Sequence, residues 1–539
     1  MEQSTSRSWA GAQSHEAARR VPAFAATAGA LLTLFAPLMI SGCAVGPDFK
    51  RPEATVATNW RTGADPRLAP RGAADTQWWK SFNDPALDQL VELAYRQNLP
   101  LQVAGLRILE ARAQYGVATG MQFPQTQALS ANLTAIGLTK PIADITGLSR
   151  NLLNYQAGFD VAWELDFWGK YRRGVESEAA VLLGSVADYE AAIVSLSAEV
   201  ARTYVAIRTA EVLVRLAQDN AKVQEQGLAI ATSRFQNGAT SELDPTQATT
   251  LLESTRATIP QLQTGQQQGQ NALATLLGQP VGTIDAMLTG AQEIPKPPEK
   301  IAVGVPADVL RRRPDIRSAE MAAAAQCARI GVAKAELYPS FSILGSIGLR
   351  AFNKGPGSHN LFTTSSVFYS VGPTINWPFL NYGRLTNGVR VEDARFQQLL
   401  VTYRDTVLRA VQEVEDALAG FLNAQQALVF EQNAVTAAKR SVELSLVQYR
   451  EGAIDYQRVL DAQRSLLQEQ NSLAQTTSAV ATNLVALYKA LGGGWELREG
   501  QPVVPVETQQ EMKQRTWWGE VMSQPRAPET TNHPPAGKQ

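Results

Sequence analysis

Three histidines, His15, His359 and His533, and two cysteines, Cys43 and Cys327, have the broadest chemistry available to this 539-residue chain, and they lie far apart. Such separation offers neither the ligand spacing of a zinc site nor the neighbours a nucleophile requires. Neither a Walker-type phosphate loop nor a Rossmann glycine signature occurs. The chain is therefore expected not to be an enzyme, and to need no metal and no cofactor. With 49 Lys plus Arg against 50 Asp plus Glu, and a net charge of -1, it has no general field for a polyanion. Nucleic acid is accordingly not an expected partner. Cys43 alone has a context that points to chemistry.

Arg19 and Arg20 precede an apolar run from Val21 to Ile40, and Ser41-Gly42-Cys43 follows. Positive, apolar, then small is the secretory order. The stretch resembles a bacterial lipoprotein signal, whose final cysteine is acylated and becomes the first residue after cleavage. A retained transmembrane helix is the competing reading, because the run approaches spanning length. Pro22, Gly29 and Pro37 interrupt it, and the small residues stand where a peptidase would need them. Residues 1–42 are thus expected to be a signal peptide. One acyl chain holds a protein only marginally, at about 0.8 kcal/mol per buried CH₂, so the several chains of a lipoprotein would matter. The lipoprotein resemblance implies outer-membrane sorting, since Ala44 rather than Asp follows the cysteine.

Behind this leader the chain repeats itself at an offset of 214 residues, as between Gly238-Ala239 and Gly452-Ala453. Gly158 and Trp163 match Gly372 and Trp377, Glu199-Val200 matches Glu413-Val414, and Pro100 matches Pro314. Glycine, tryptophan and proline in one order at one spacing predict two halves of the same architecture.

Each half is expected to begin with a helix and continue into two strands of period two. Leu153, Tyr155, Phe159, Val161 and Trp163 alternate with Asn154, Gln156, Asp160 and Glu164, while Leu129 and Leu133 alternate with Ser130, Asn132 and Thr134. Phe341, Ile343 and Ile347, then Val367, Tyr369, Val371 and Ile375, repeat the pattern against serines. Strands of about ten residues can cross a bilayer when tilted. A soluble sheet with one buried face would show the same alternation. If the strands do enter lipid, four cannot close, since an open edge there leaves backbone groups unpaired. Identical copies must then supply the rest, and three chains would bring twelve strands.

Proline is absent between Gly169 and Pro245 and between Pro378 and Pro502, which permits long unbroken helices. Val186, Ile193, Val200, Tyr204 and Ile207, and Val407, Val411, Val414, Leu418 and Phe421, step by threes, fours and sevens. A helix over 171–237 would run roughly 100 Å at about 1.5 Å per residue. Gly238 and Gly452 then mark equivalent turns, and helices over about 241–277 and 455–491 return. By themselves such helices also suit a lipid-anchored coiled-coil scaffold.

Several strings carry a resemblance: Cys43-Ala44-Val45-Gly46-Pro47-Asp48-Phe49, Trp78-Trp79 before Phe82-Asn83-Asp84-Pro85, Arg311-Arg312-Arg313-Pro314-Asp315, and Tyr449-Arg450-Glu451-Gly452 leading into Val459-Leu460-Asp461-Ala462-Gln463-Arg464. With the duplicated hairpins and helices, they resemble the TolC-like outer-membrane factor family in its lipoprotein, NodT-type branch. The resemblance covers nearly the whole mature chain. It implies a mixed α and β membrane protein, a homotrimer with a 12-stranded outer-membrane β-barrel, four strands per chain, continuing into a 12-helix periplasmic α-barrel.

It also implies a passive exit duct of a tripartite efflux system, with a periplasmic membrane-fusion adaptor and an RND-type inner-membrane transporter as partners. Type I protein secretion is the alternative use of such a duct. The implied divisions are an acylated segment and equatorial belt over 43–85, a first repeat over 86–291, a Pro-rich linker over 292–313, a second repeat over 314–492 and an equatorial tail over 493–539. The family's closed entrance lies at the helix tips. By residue matching, Tyr449 and Asp244 fall on a tip-bridging contact, Asp461 on an acidic constriction ring and Arg464 on its basic partner. This chain departs at Gln457, where the branch tends to place an apolar residue, and Arg458 adds charge beside it.

Overall fold

The computed structural model describes residues 44–53, 57–63, 65–69, 76–290, 292–303, 312–354 and 360–522. In chain order the helices are α1 (Pro85–Gln97), α2 (Leu99–Gly120), α3 (Lys140–Thr146), α4 (Lys170–Gln236), α5 (Leu243–Leu276), α6 (Pro314–Ala335), α7 (Arg384–Arg450), α8 (Tyr456–Ala490) and α9 (Val506–Arg515). Four long strands are β1 (Thr126–Gly137), β2 (Asn151–Leu165), β3 (Ser340–Phe352) and β4 (Val367–Asn376). Two compact units result. One takes in the described residues up to Phe49 with Val117–Ser177 and Cys327–Ala394; the other takes in Lys50–Gly116, Glu178–Gln326 and the chain from Arg395 onward.

In the first unit the four strands form one antiparallel sheet in the order β1-β2-β3-β4. Register aligns the apolar positions across it. Leu129 faces Phe159, Phe159 faces Ile347, and Ile347 faces Tyr369. One residue along, Ala128, Asp160, Ser346 and Ser370 make a polar row, which alternation sends to the opposite face. Ser130 adds a 3.3 Å hydrogen bond to Asp160 on that face. The apolar face is open within this chain, with Leu129 86% and Tyr369 79% exposed. Strands β1 and β4 each have only one strand neighbour among the described residues, so the sheet keeps two unpaired edges.

The connection between β1 and β2 contains α3. Pro141 stands in its first turn and Gly147 closes it at φ +67.

The second unit is built on the long helices. Helices α4 and α7 are each 67 residues long, and they start at Lys170 and Arg384, the offset of the sequence repeat. Ile193, Val200, Tyr204 and Ile207 of α4 and Val414, Leu418 and Phe421 of α7 are fully buried in one apolar cluster. Trp78 and Trp79, expected in a surrounding belt, lie deep in the same cluster, with Trp78 stacked 5.4 Å from Tyr488. The first half opens with two helices rather than one. Asn98 separates them, its side chain accepting from the Leu101 amide and donating to the Leu276 carbonyl, each at 2.8 Å.

Only α4 among the described helices is long and apolar enough to cross a membrane, with a mean hydropathy of 1.5 over its best window. Half of that window is buried against the chain itself, as in a bundle helix.

Candidate functional site

At the far end of the long helices, both turns follow from glycine. Gly238 at φ +71 and Gly452 at φ +78 take the left-handed conformation that a side chain resists. Ala239 donates back to the Arg234 carbonyl and Ala453 to the Gln448 carbonyl, both at 2.9 Å, which satisfies the last carbonyls of α4 and α7. Asp455 then caps α8 by accepting from the Arg458 amide at 3.3 Å.

Tyr449 and Asp244 meet there. The Tyr449 hydroxyl donates to Asp244 Oδ2 at 2.8 Å, tying the end of α7 to the start of α5. Burial, then the Asp244 carboxylate, pushes the Tyr449 phenol up to about 12, so it remains a donor through the neutral range. Its ring is buried and packs edge-on against Tyr456 at 5.0 Å.

Arg234 joins this contact although its sequence neighbourhood did not single it out. Its Nη1 donates to the carbonyls of Tyr449 and Arg450, the latter at 3.1 Å, and its guanidinium lies 4.8 Å from the centre of the Tyr449 ring. A cation on the open carbonyls of a helix C-terminus contributes about 0.3–1 kcal/mol when exposed and up to about 2 when partly buried. A basic residue in the last turn of α4 reads in sequence as serving α4, and the fold sends it to α7 instead.

Asp461, Gln457, Arg464 and Arg458 lie on exposed positions of α8. Gln457 Nε2 donates to Asp461 Oδ1 at 2.9 Å, one helical turn apart. Arg464 reaches the same oxygen only at 3.9 Å, and the two side chains are 54% and 57% exposed. Within one chain this is a solvated pair worth about 0.3–0.5 kcal/mol. Asp461 and Gln457 thus form the closer contact, and Arg464 stands beside it.

Cys43 lies outside the described residues. The segment that follows it is firmly seated in the first unit. Val45 donates to the Trp168 carbonyl at 3.0 Å, Arg173 pairs with Asp48 at 2.6 Å, and Cys327 Sγ donates to the Pro47 carbonyl at 3.6 Å. Among the described residues no group of His, Cys, Asp and Glu is placed to hold a metal ion.

An open sheet with one greasy and one wet face, joined in one chain to two pairs of very long helices, defines a class of membrane channel subunit. Residues 90–279 and 305–493 match the family of outer membrane efflux proteins, and the two matched stretches are the two halves of the duplication. Nodulation protein T of Rhizobium leguminosarum bv. viciae is 32% identical over 459 residues, covering 85% of this chain and 92% of that protein. The probable efflux pump outer membrane protein TtgC of Pseudomonas putida is 31% identical, covering 86% and 95%. The solved outer-membrane channel OprN superposes with a TM-score of 0.77 at 33% identity, over 84% of this chain and 100% of that one. This chain belongs to the outer membrane efflux protein family. It is an outer-membrane efflux channel protein.

Proposed function

We propose that three copies of this chain close into a passive exit duct of a tripartite efflux system, anchored through acylated Cys43 and met at its helix tips by a periplasmic adaptor and an RND-type inner-membrane transporter. The observation that carries the reading is the four-stranded sheet with two unpaired edges and an exposed apolar face. In hydrocarbon each unpaired backbone group costs several kcal/mol, so such a sheet is tenable only when its edges are paired by further copies. Strands β1 and β4 run antiparallel to each other across the sheet, so an edge of one copy can continue the alternation on the next. The polar row of Asp160, Ser346 and Ser370 then lines the water side.

In this reading the tips are the closed entrance, held by Tyr449 and Asp244, with Asp461, Gln457, Arg464 and Arg458 of α8 around the constriction. Three Asp461 carboxylates brought together repel one another unless cations or arginines compensate, so an iris held by arginine pairs can be bistable. Substituting Gln457 for an apolar residue makes that ring wet. With no phosphate-loop motif in its sequence, the duct takes its energy from the transporter.

Deleting the gene and profiling survival against drugs, solvents and metal salts tests the efflux role. Increased sensitivity to at least one class, restored by the intact gene, is expected. A deletion strain that matches its parent on every compound but fails to release a protein to the medium would favour secretion.

A further inference from the structure

We propose that Arg234 is the positioning residue of the tip, holding Tyr449 in the orientation that meets Asp244 and so coupling the α4–α5 hairpin to the α7–α8 hairpin; this rests on the reading of the tips as the closed entrance. Three observations converge on it. Arg234 comes from α4, yet its Nη1 donates to the last carbonyls of α7, at Tyr449 and Arg450. Its guanidinium also covers the Tyr449 ring at 4.8 Å, so backbone and side chain of one residue are held from the same group. Among the described residues no carboxylate lies within ion-pair distance of Arg234, so its charge is directed to these carbonyls and this ring.

The internal duplication makes the arrangement directional. At the repeat offset Arg234 corresponds to Gln448, Tyr449 to Phe235 and Asp244 to Arg458. The mirror contact, from the second hairpin onto the first, would have glutamine for the arginine, phenylalanine for the tyrosine and arginine for the aspartate. It has no hydroxyl to donate and no carboxylate to accept. One fold is used twice, and the latch is built in one direction only. Arg234 is then the group whose release frees Tyr449 and lets α7 and α8 move from α4 and α5 together. An adaptor that presents carboxylates near the tip would compete for that guanidinium.

The test uses the full-length acylated protein, purified in detergent and inserted in a planar bilayer, with Arg234→Gln, Arg234→Lys, Tyr449→Phe and their double variant, and the thermal midpoint of each as a control for folding. Arg234→Gln and Tyr449→Phe are each expected to raise single-channel conductance several-fold. The double variant should conduct no more than either single one, because both break one contact. Arg234→Lys, which keeps a cation over the ring and one donor for a carbonyl, should return most of the way to the parent conductance. Parent-level conductance in Arg234→Gln beside a raised value in Tyr449→Phe would overturn the role of Arg234 and leave the entrance reading standing. Parent-level conductance in both would overturn the two together. Additive effects, or a lysine variant as leaky as glutamine with an equally lowered midpoint, would make Arg234 merely structural and also overturn the proposal.

Discussion

Gly46 stands against Gly331 so closely that a Cβ on Gly46 would fall 2.5 Å from the Gly331 Cα, and Gly46 itself is at φ +105. The Gly46 backbone cannot withdraw easily, because the Val45 amide donates to the Trp168 carbonyl and Asp48 pairs with Arg173 on either side of it. Gly46→Ala combines a strained backbone with an overpacked contact and is expected to cost about 1–3 kcal/mol of seating energy. Trypsin cleavage after Lys50 should accelerate accordingly. Unchanged cleavage would mean that the segment after the acylated cysteine is held by something other than this approach.

Asp84 serves two masters in the second unit. One carboxylate oxygen caps α1 by accepting from Ala86 and Leu87, and the other accepts the Tyr204 hydroxyl of α4 at 2.7 Å. Asp84→Ala removes a cap worth about 1 kcal/mol and takes the Asp84 acceptor from the buried Tyr204 hydroxyl, which keeps the Arg208 Nε donor at 3.0 Å, at a further cost of about 1–3. Thermal denaturation of the purified protein should begin several degrees earlier, and Asp84→Asn should recover part of the loss. A variant that melts with the parent would place Asp84 outside the stabilising network.

Gln463 and Tyr456 sit buried beside Gly227, and both Gln463 side-chain polar atoms lack hydrogen-bond partners among the described residues. An amide in that position carries a desolvation cost without return. Gln463→Leu, similar in size, is expected to raise the thermal midpoint, corresponding to about 1–3 kcal/mol. A lowered midpoint would show that the amide has a partner in the assembled channel.

Alkaline pH should loosen the tip. The Tyr449 pKa is raised to about 12 from an ordinary 10.0, so the folded state keeps a proton that the unfolded chain gives up. The stabilisation is complete below pH about 10 and is lost as pH rises through about 12. Conductance should therefore be flat in this contact's contribution between pH 6 and 9 and climb above about 10. Tyr449→Phe, which lacks the group, should remove the climb.

The exposed α8 residues give a separate test of the constriction. Asp461→Ala combined with Arg464→Ala is expected to raise conductance of the purified assembly. An unchanged value would remove these residues from the entrance.

The parts legible in sequence are those with a period. Alternation at Leu129, Phe159, Ile347 and Tyr369 marked the strands because one face needs apolar side chains, and the structure brings those four into a single row. Missing prolines and the glycines at 238 and 452 marked the long helices, since both act on the chain's own backbone. Contacts between residues distant in sequence leave no such period. Gly46 against Gly331, and Arg234 on the end of α7, are ordinary residues until the fold brings their partners to them. Asn98 hid the break between α1 and α2 because its stabilising acceptor, the Leu276 carbonyl, comes from another helix. Short helix α3 depends on Pro141 and Gly147 at its ends, which read equally well as loop residues. At the tip, Tyr449 and Asp244 came from family resemblance, whereas the hydrogen bond from Gln457 to Asp461 needed coordinates.

The most direct test of the account is the mass of the acylated protein, measured by native mass spectrometry after release from a detergent micelle and compared with its conductance in lipid. Three chains in a particle that conducts ions are expected, because the sheet of one chain leaves the outer edge of β1 and the outer edge of β4 open. A single chain that stays soluble without detergent once its leader is removed, and passes no current, would contradict it.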